Sequence, residues 1–141
     1  MDRLYEVLKL ASKWYPDKKF AHAMRVASYT VDQPLLEEDP DLIESLFIVG
    51  LLHDILEDTK LSQEELYRFS YINQDEYDAI ELLTHHKSDC SYEDYIKAII
   101  DSKNQLALLV KRADMKDHLM QSETLSDKLK EKYYPVIKYL L

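Results

Sequence analysis

The sequence predicts an all-α fold, a single-domain bundle of about seven or eight helices that spans residues 1–141. Apolar residues recur at spacings of three and four along almost the whole chain, which is the period of amphipathic helices. The chain has 1 glycine among its 141 residues, whereas sandwiches, barrels and phosphate-binding loops need residues at positive φ. No linker or internal repeat interrupts the pattern, so we expect one compact bundle.

Apolar stripes bounded by prolines and capping residues predict the first three helices. The stripe of the first helix contains Leu4, Val7, Leu8, Ala11 and Trp14. Pro16 ends this helix, Asp17 is placed to cap the second, and Pro34 breaks the second. Asp39 is placed to cap the third helix, because Pro40 then takes the favoured first helical position.

Capping residues and periodicity predict the remaining five helices. Ser62 opens a short fourth helix through a capping box, and Asn73 caps a fifth. Ser91 opens the sixth helix. The seventh spans roughly residues 104–120, and the eighth runs from Ser126 to the C-terminus.

Net charge, cysteine content and apolar runs limit the binding partners and the location that the sequence predicts. The formal net charge of −9 disfavours binding of a nucleic acid duplex, because such binding neutralises phosphates with basic residues. A small phosphorylated ligand stays compatible with this charge if a divalent metal or local lysines supply positive charge. The single cysteine, Cys90, and the charged N-terminal residues lead us to expect a cytoplasmic protein without a signal peptide. The longest apolar run, residues 46–52, is too short to span a membrane.

The third helix carries the first indication of a functional site. Residues 46–52 are apolar on every side, which predicts a central buried helix. His53, Asp54, Glu57 and Asp58 follow at spacings that place them on one helical face. Three carboxylates and an imidazole there would repel and desolvate one another, and a divalent cation bound by His53 and Asp54 would remove that cost. The alternative is a charged last turn that emerges into solvent.

Two further polar residues interrupt apolar stretches. His22 lies among core-like residues of the second helix, and Asp114 follows the apolar residues 106–110. Taken singly, each has an ordinary explanation, as a hydrogen-bonded core histidine and a solvated helix end. With His53 and Asp54 they make two histidines and two aspartates from three helices, a set that suits manganese, iron or zinc.

Three segments around these residues resemble a known family. Residues 51–59, which read Leu-Leu-His-Asp-Ile-Leu-Glu-Asp-Thr, closely resemble the signature of HD-domain metal-dependent phosphohydrolases. The ending of this segment is similar to the branch that hydrolyses the alarmones ppGpp and pppGpp, as in the RelA/SpoT hydrolase domain and small alarmone hydrolases. Residues 22–27 are similar to the family's first-histidine motif, and residues 110–114 to its last-aspartate motif. The three motifs occur in the family's order, so the resemblance covers most of the chain.

The resemblance implies a metal centre and a pair of catalytic acids. The implied metal ligands are His22, His53, Asp54 and Asp114. We expect Mn²⁺ as the divalent metal. Glu57 and Asp58 match the acidic pair that positions and activates the attacking water in the family.

Basic residues and a histidine are the implied substrate contacts. Lys87 resembles the family's phosphate-contacting lysine, and Lys13 matches a second basic contact. Arg25 lies in the first motif and is placed to meet phosphates. His118 stands where alarmone hydrolases typically have an asparagine that contacts the nucleotide. Other basic residues lie beside or within the motifs and could also meet phosphates, namely Lys18, Lys19, Lys111 and Arg112.

The implied activity is hydrolysis of the 3′-pyrophosphate of (p)ppGpp to GDP or GTP and pyrophosphate. A 5′-nucleotidase, or another nucleotide phosphohydrolase of the HD fold, is the second hypothesis. The third is an inactive domain that senses a nucleotide or binds a partner protein. His85 or His86 is a candidate ligand for a second metal ion. Adjacent helical residues point about 100° apart, so only one of the two would face the site easily. The tyrosines of the last helix predict packing onto the bundle or onto a second copy of the chain, at Tyr133, Tyr134 and Tyr139.

Overall fold

The computed structural model describes residues 2–32, 39–121 and 126–140, and every regular element in these ranges is an α-helix. The nine helices in these ranges are α1 (Arg3–Trp14), α2 (Asp17–Val31), α3 (Pro40–Leu52), α4 (Ile55–Asp58), α5 (Gln63–Tyr67), α6 (Gln74–Leu83), α7 (Tyr92–Ser102), α8 (Gln105–Met120) and α9 (Asp127–Leu140). The predicted all-α fold is confirmed. None of these helices has both the length and the apolar character needed to cross a bilayer.

Side-chain caps confirm most of the predicted helix starts. Ser62 and Asn73 each form a complete capping box, and Ser91 accepts a hydrogen bond from the third amide of α7. Asp39 accepts a hydrogen bond of 3.1 Å from the third amide of α3, with Pro40 as the first helical residue. These caps satisfy backbone donors that have no partner within the helix.

The start of α2 differs from the prediction by one residue. Pro16, with extended backbone at φ −60° and ψ 156°, is the cap residue, and Asp17 is the first residue of the helix. The prediction that Asp17 caps α2 was therefore wrong, although its carboxylate still favours the positive end of the helix dipole. The predicted break at Pro34 lies outside the described residues, and α2 ends at Val31.

The predicted third helix is split in two. α3 ends at Leu52, and Asp54 leaves the helical region with φ −107° and ψ 4° before the single turn of α4 begins. This backbone conformation is sparsely populated and is common at active sites. The prediction that positions 53 to 58 continue one helix was wrong, and the split adds one helix to the expected eight.

α3 is the centre of the bundle, as its sequence predicted. It packs against α1, α2, α6 and α8, and its side chains Leu46, Ile48 and Leu51 are fully buried. The hydrophobic effect of this burial holds the four surrounding helices at fixed distances from α3. Its carboxyl end, where His53 begins the break, is consequently anchored by the packing of these surrounding helices.

α9 covers one side of the bundle. It packs against α7 and α8, and Tyr133 is buried against them. Tyr134 and Tyr139 stay exposed, at 54% and 37% of their surface. The prediction of packing onto the bundle is therefore confirmed for Tyr133. Contact of the exposed Tyr134 and Tyr139 with a second copy of the chain stays a prediction.

Candidate metal centre

Four side chains from three parts of the bundle meet at the carboxyl end of α3. His22 comes from α2, His53 and Asp54 from the break after α3, and Asp114 from α8. Their candidate ligand atoms all lie within 4.8 Å of one another, so this group could hold a metal ion. The four residues selected from the sequence are thus brought together by the fold.

Asp114 Oδ1 lies close to both histidines of the group. His22 Nε2 is 2.9 Å from this oxygen and His53 Nε2 is 3.4 Å from it. Asp54 Oδ2 lies 3.0 Å from His53 Nε2 and 3.7 Å from His22 Nε2. Two imidazole nitrogens and two carboxylates around one point form the mixed donor set that borderline divalent metals prefer.

The other nitrogen of each histidine ring is held by a hydrogen-bond acceptor. His53 Nδ1 donates to the carbonyl oxygen of Gly50 at 2.7 Å, and His22 Nδ1 donates to Asp117 Oδ2 at 2.6 Å. Arg25 holds Asp117 in turn, with two hydrogen bonds of 2.7 and 3.1 Å. Because the Nδ1 atoms carry protons, the Nε2 lone pairs of both rings are directed at the centre, as in histidines that bind metals.

Three buried polar atoms without a hydrogen bond support the fit to a metal and its water. Within the described residues these are His53 Nε2, Asp58 Oδ2 and the Tyr15 hydroxyl. Asp54 is near His53 Nε2, but the contact lacks hydrogen-bond geometry. Tyr15 is close enough for the charges of Asp54 and Asp58 to raise its pKa, after the larger effect of burial. Buried polar atoms normally have partners, so unpaired atoms grouped around one centre fit a bound cation with its water.

The charges of the group shift its pKa values strongly. Burial by itself lowers the pKa of His53, but Asp54 and Asp114 outweigh it and raise that pKa well above the ordinary value. For His22, Asp114 likewise outweighs burial and raises the pKa. Burial opposes the charge of Asp114, but Lys111 and three histidines hold its pKa well below the ordinary value. Aspartate therefore stays ionised here as a ligand, while protons compete with a cation for the histidines.

Lys111 holds the second oxygen of Asp114. Its Nζ is 2.8 Å from Asp114 Oδ2 and lies over the rings of Tyr92 and Tyr95, at 5.4 and 5.1 Å from their centroids. Lys111 is almost completely buried, and the Tyr95 hydroxyl is fixed by donating to the carbonyl of Leu83. Lys111, expected from the sequence to be free to meet phosphates, instead orients a candidate ligand.

Glu57 and Asp58 lie beside the four-residue group. One oxygen of Glu57 accepts a hydrogen bond from the backbone amide of His85, and burial followed by the charge of Asp54 raises the Glu57 pKa. Burial and Asp54 also raise the pKa of Asp58, whose Oδ2 is 3.4 Å from Lys19 Nζ. A carboxylate with a raised pKa next to a metal site is suited to accept a proton.

A small cleft opens over the group. Its volume is about 160 Å³, below the roughly 300–1,000 Å³ of pockets that enclose a drug-sized ligand. Four carboxylates and four lysines line it, namely Asp54, Glu57, Asp58, Asp114, Lys19, Lys87, Lys111 and Lys132. A divalent cation would make this lining net positive, although the whole chain carries −9. With such a cation, the cleft would carry positive charge at the candidate metal centre.

The predicted substrate contacts fall in two places. Lys87 and His118 line the cleft, and the His118 ring stacks against Tyr133 with centroids 4.9 Å apart. His118 Nε2 is also 3.2 Å from Asp114 Oδ1. Arg25, by contrast, is paired with Asp117 outside the cleft lining. Lys13 is exposed on α1 and likewise does not line the cleft.

His85 and His86 lie outside the four-residue group. His85 Nε2 donates to the carbonyl of Cys90 at 2.9 Å, and the ring stacks on Tyr95. His86 is exposed on the loop between α6 and α7. Among the described residues, the single cluster arranged to hold a metal includes neither histidine, so a second metal has no support here.

Sequence reasoning missed three residues of the centre: Tyr15, Asp117 and Lys132. Asp117 follows Asp114 by three residues on α8, and Arg25 follows His22 by three on α2. Helical neighbours three apart share a face, so this spacing could have revealed the pair. For Tyr15 and Lys132 no comparable signal exists, because only the packing of α1 and α9 brings them close.

Comparison with known proteins adds no relative. No family model matches this sequence, and no curated protein matches it. The resemblance to HD-domain phosphohydrolases thus rests on the three motifs. What the structure contributes is an all-helical fold with a buried histidine and aspartate group that could hold a metal ion.

Proposed function

We propose that this protein is an HD-type, metal-dependent phosphohydrolase that removes the 3′-pyrophosphate of (p)ppGpp, giving GDP or GTP and pyrophosphate. One observation carries the proposal: the buried group of His22, His53, Asp54 and Asp114 opens into a lysine-lined cleft. Glu57 and Asp58 line this cleft, as the three motifs lead one to expect. We also propose a cytoplasmic location, in keeping with the single cysteine.

The four-residue group would hold the divalent metal, which we propose to be Mn²⁺. When bound, such an ion polarises a phosphoryl oxygen and lowers the pKa of a coordinated water. His22 and His53 would bind through Nε2, since Asp117 and the Gly50 carbonyl occupy their Nδ1 atoms. Lys111 keeps one oxygen of Asp114 in place and leaves the other toward the centre.

Glu57 and Asp58 supply the acid–base chemistry in this proposal. Glu57 accepts the proton of the attacking water, and its raised pKa makes it a stronger base than an exposed carboxylate. Asp58 orients that water through Oδ2, which has an ion-pair contact with Lys19 but no hydrogen bond within the described residues. The new bond forms between the water oxygen and phosphorus, and the bond from phosphorus to the ribose 3′-oxygen breaks. The 3′-oxygen leaves with a proton, so the products are GDP or GTP and pyrophosphate.

A nucleoside monophosphate is the second candidate substrate, because His118 replaces the asparagine expected of alarmone hydrolases. In a 5′-nucleotidase the same groups would act on a 5′-phosphate ester and release phosphate. An inactive nucleotide sensor is the third candidate, although Glu57 and Asp58 are both present and line the cleft.

The test compares ppGpp with a panel of nucleoside monophosphates. Each is incubated with Mn²⁺-loaded protein, and the products are separated by ion-exchange chromatography. We expect GDP and pyrophosphate from ppGpp. Cleavage of a monophosphate alone would move the substrate to the second candidate, and no cleavage of any nucleotide would favour the sensor.

Glu57→Gln separates catalysis from metal binding. We expect turnover to fall by about 10²–10⁴, since the variant loses its general base. Its metal content should equal that of the wild type, because Glu57 is not in the ligand group. Glu64→Gln, an exposed change on α5, is the matched control and should keep full activity. A Glu57→Gln protein that is fully active, or empty of metal, would contradict this role.

A further inference from the structure

Among the residues that the structure describes, two of the four cleft lysines have no anionic partner. Lys19 and Lys111 are paired with carboxylates of the cleft, at 3.4 and 2.8 Å. Lys87 and Lys132 make neither an ion pair nor a hydrogen bond with any described residue. The cleft therefore has two cations that an incoming anion can bind without displacing a protein partner.

Lys132 is held at the cleft by aromatic rings. It extends from α9, and its Nζ lies 4.6 Å from the centroid of Tyr92 and 5.5 Å from that of Tyr133. Partial desolvation lowers its pKa, and the like charges of Lys111 and Lys87 lower it further. Positive charges are thus crowded at this end of the cleft, where a bound anion would relieve their repulsion.

The unpaired lysines come from different elements than the metal group. Lys87 follows α6 and Lys132 lies on α9, whereas the four candidate ligands come from α2, α8 and the break after α3. An anion bound by Lys87 and Lys132 would therefore sit beside the metal centre within the same small cleft. A second phosphate joined to the reacting one has the charge that suits this position.

We propose that Lys132, together with Lys87, binds the phosphate attached to the one that is hydrolysed, so that the site selects a pyrophosphoryl group over a monophosphate. This inference rests on the proposed function and adds Lys132 as a specificity residue. Lys132 takes no part in bond breaking. Its contribution is to the binding of a diphosphoryl ligand.

Two ligands that differ by one phosphate test the proposal. Guanosine 5′-diphosphate 3′-diphosphate carries the outer 3′-phosphate, and guanosine 5′-diphosphate 3′-monophosphate lacks it. Binding of each is measured by equilibrium dialysis with Mn²⁺ in the Glu57→Gln background, so that neither ligand is consumed. KM and kcat for the 3′-diphosphate are then measured with proteins that retain Glu57.

Lys132→Gln should weaken binding of the 3′-diphosphate about tenfold or more, as expected for a lost charge-assisted hydrogen bond. Binding of the 3′-monophosphate should change less than about twofold. KM should rise while kcat stays close to the wild-type value, and Lys132→Arg should restore most of the affinity. Lys128→Gln, an exposed change on the same helix, is the matched control and should alter neither ligand.

The outcomes separate this inference from the proposed function. Equal weakening of both ligands, or of neither, would overturn the role of Lys132 even if the protein cleaves ppGpp. Selective weakening in a protein that cleaves no nucleotide would support the diphosphate subsite and overturn the hydrolase proposal. Circular dichroism of Lys132→Gln should match the wild type, since the side chain lies at the surface.

Discussion

At the residue scale, the candidate metal centre depends on the hydrogen bonds that orient each histidine through its Nδ1 atom. Asp117 fixes the His22 ring, and the Gly50 carbonyl fixes the His53 ring. The carbonyl belongs to the helix that carries His53, so that support is local. Asp117 lies 95 residues from His22 along the chain, so its support depends on the packing of α8 against α2.

Asp117→Asn should weaken metal binding by about tenfold to a hundredfold. The reason is that the acceptor of the Nδ1 proton sets the tautomer and the basicity of a histidine that binds metal through Nε2. The measurement is a competitive titration of Mn²⁺ against a chelator. Asp101→Asn, an exposed change on α7, is the matched control and should leave the affinity unchanged. An Asp117→Asn protein with wild-type affinity would show that Asp117 serves only the fold.

At the scale of elements, the distance between α2 and α3 determines whether the two histidines meet. These helices are in close contact where Gly50 faces Ala27. A Cβ at position 50 would lie 2.8 Å from Ala27 Cα and 3.2 Å from its backbone nitrogen, closer than side chains come to backbone. The chain's single glycine is thus required for close helix packing rather than for positive φ.

Gly50→Ala should lower the free energy of unfolding, since α2 and α3 must move apart. Overpacking costs about 1–3 kcal/mol, against a gain of about 0.5–1 kcal/mol from the helix propensity of alanine. Urea unfolding in the presence of a chelator measures the net loss. Ala98→Gly, on the exposed face of α7, reports the propensity difference alone. A more stable Gly50→Ala protein would contradict the close packing.

At the scale of the whole molecule, negative charge and metal binding are linked. The chain carries −9, and four carboxylates line one small cleft. A bound cation would reduce both the repulsion among these carboxylates and the net negative charge of the molecule. Because the ligands come from α2, α8 and the break after α3, a metal would tie these parts together and stabilise the folded state over the unfolded one.

The pH dependence of unfolding should reverse when metal binds. The pKa values of His22 and His53 are raised above their ordinary 6.5 in the folded protein. With a chelator, their protonation stabilises the fold below pH 6.5, and this contribution is lost as pH rises through the raised pKa. With Mn²⁺, the stabilisation of the fold by the metal should grow as pH rises over the same range, because the metal binds neutral imidazole. At a free Mn²⁺ concentration of 100 times its Kd, this stabilisation is about 2.7 kcal/mol.

Thermal unfolding at pH 6 and pH 8, with chelator and with Mn²⁺, measures this reversal. The gain in melting temperature on adding Mn²⁺ should be larger at pH 8. His53→Ala should lose the response, whereas His86→Ala, which changes an exposed histidine outside the group, should retain it. An unchanged melting temperature with Mn²⁺ at pH 8 would contradict metal binding by the group.

By itself, the sequence determined the features that depend on neighbours along the chain. The three-and-four spacing of apolar residues predicted the helices, and Ser62, Asn73 and Ser91 predicted where three of them begin. It also identified the buried helix at residues 46–52 and the polar residues His22, His53, Asp54 and Asp114 that interrupt apolar stretches. All of these are local signals, because helix period and capping act within a few residues.

Only the tertiary structure decided how these parts meet. The break at Asp54, the support of His22 by Asp117, the burial of Lys111 between tyrosines and the place of Lys132 at the cleft arise from packing between helices. Periodicity defines the apolar face of a helix but not which helix covers that face or at what angle. For this reason the sequence named the four candidate ligands, whereas the fold decided which lysines surround them.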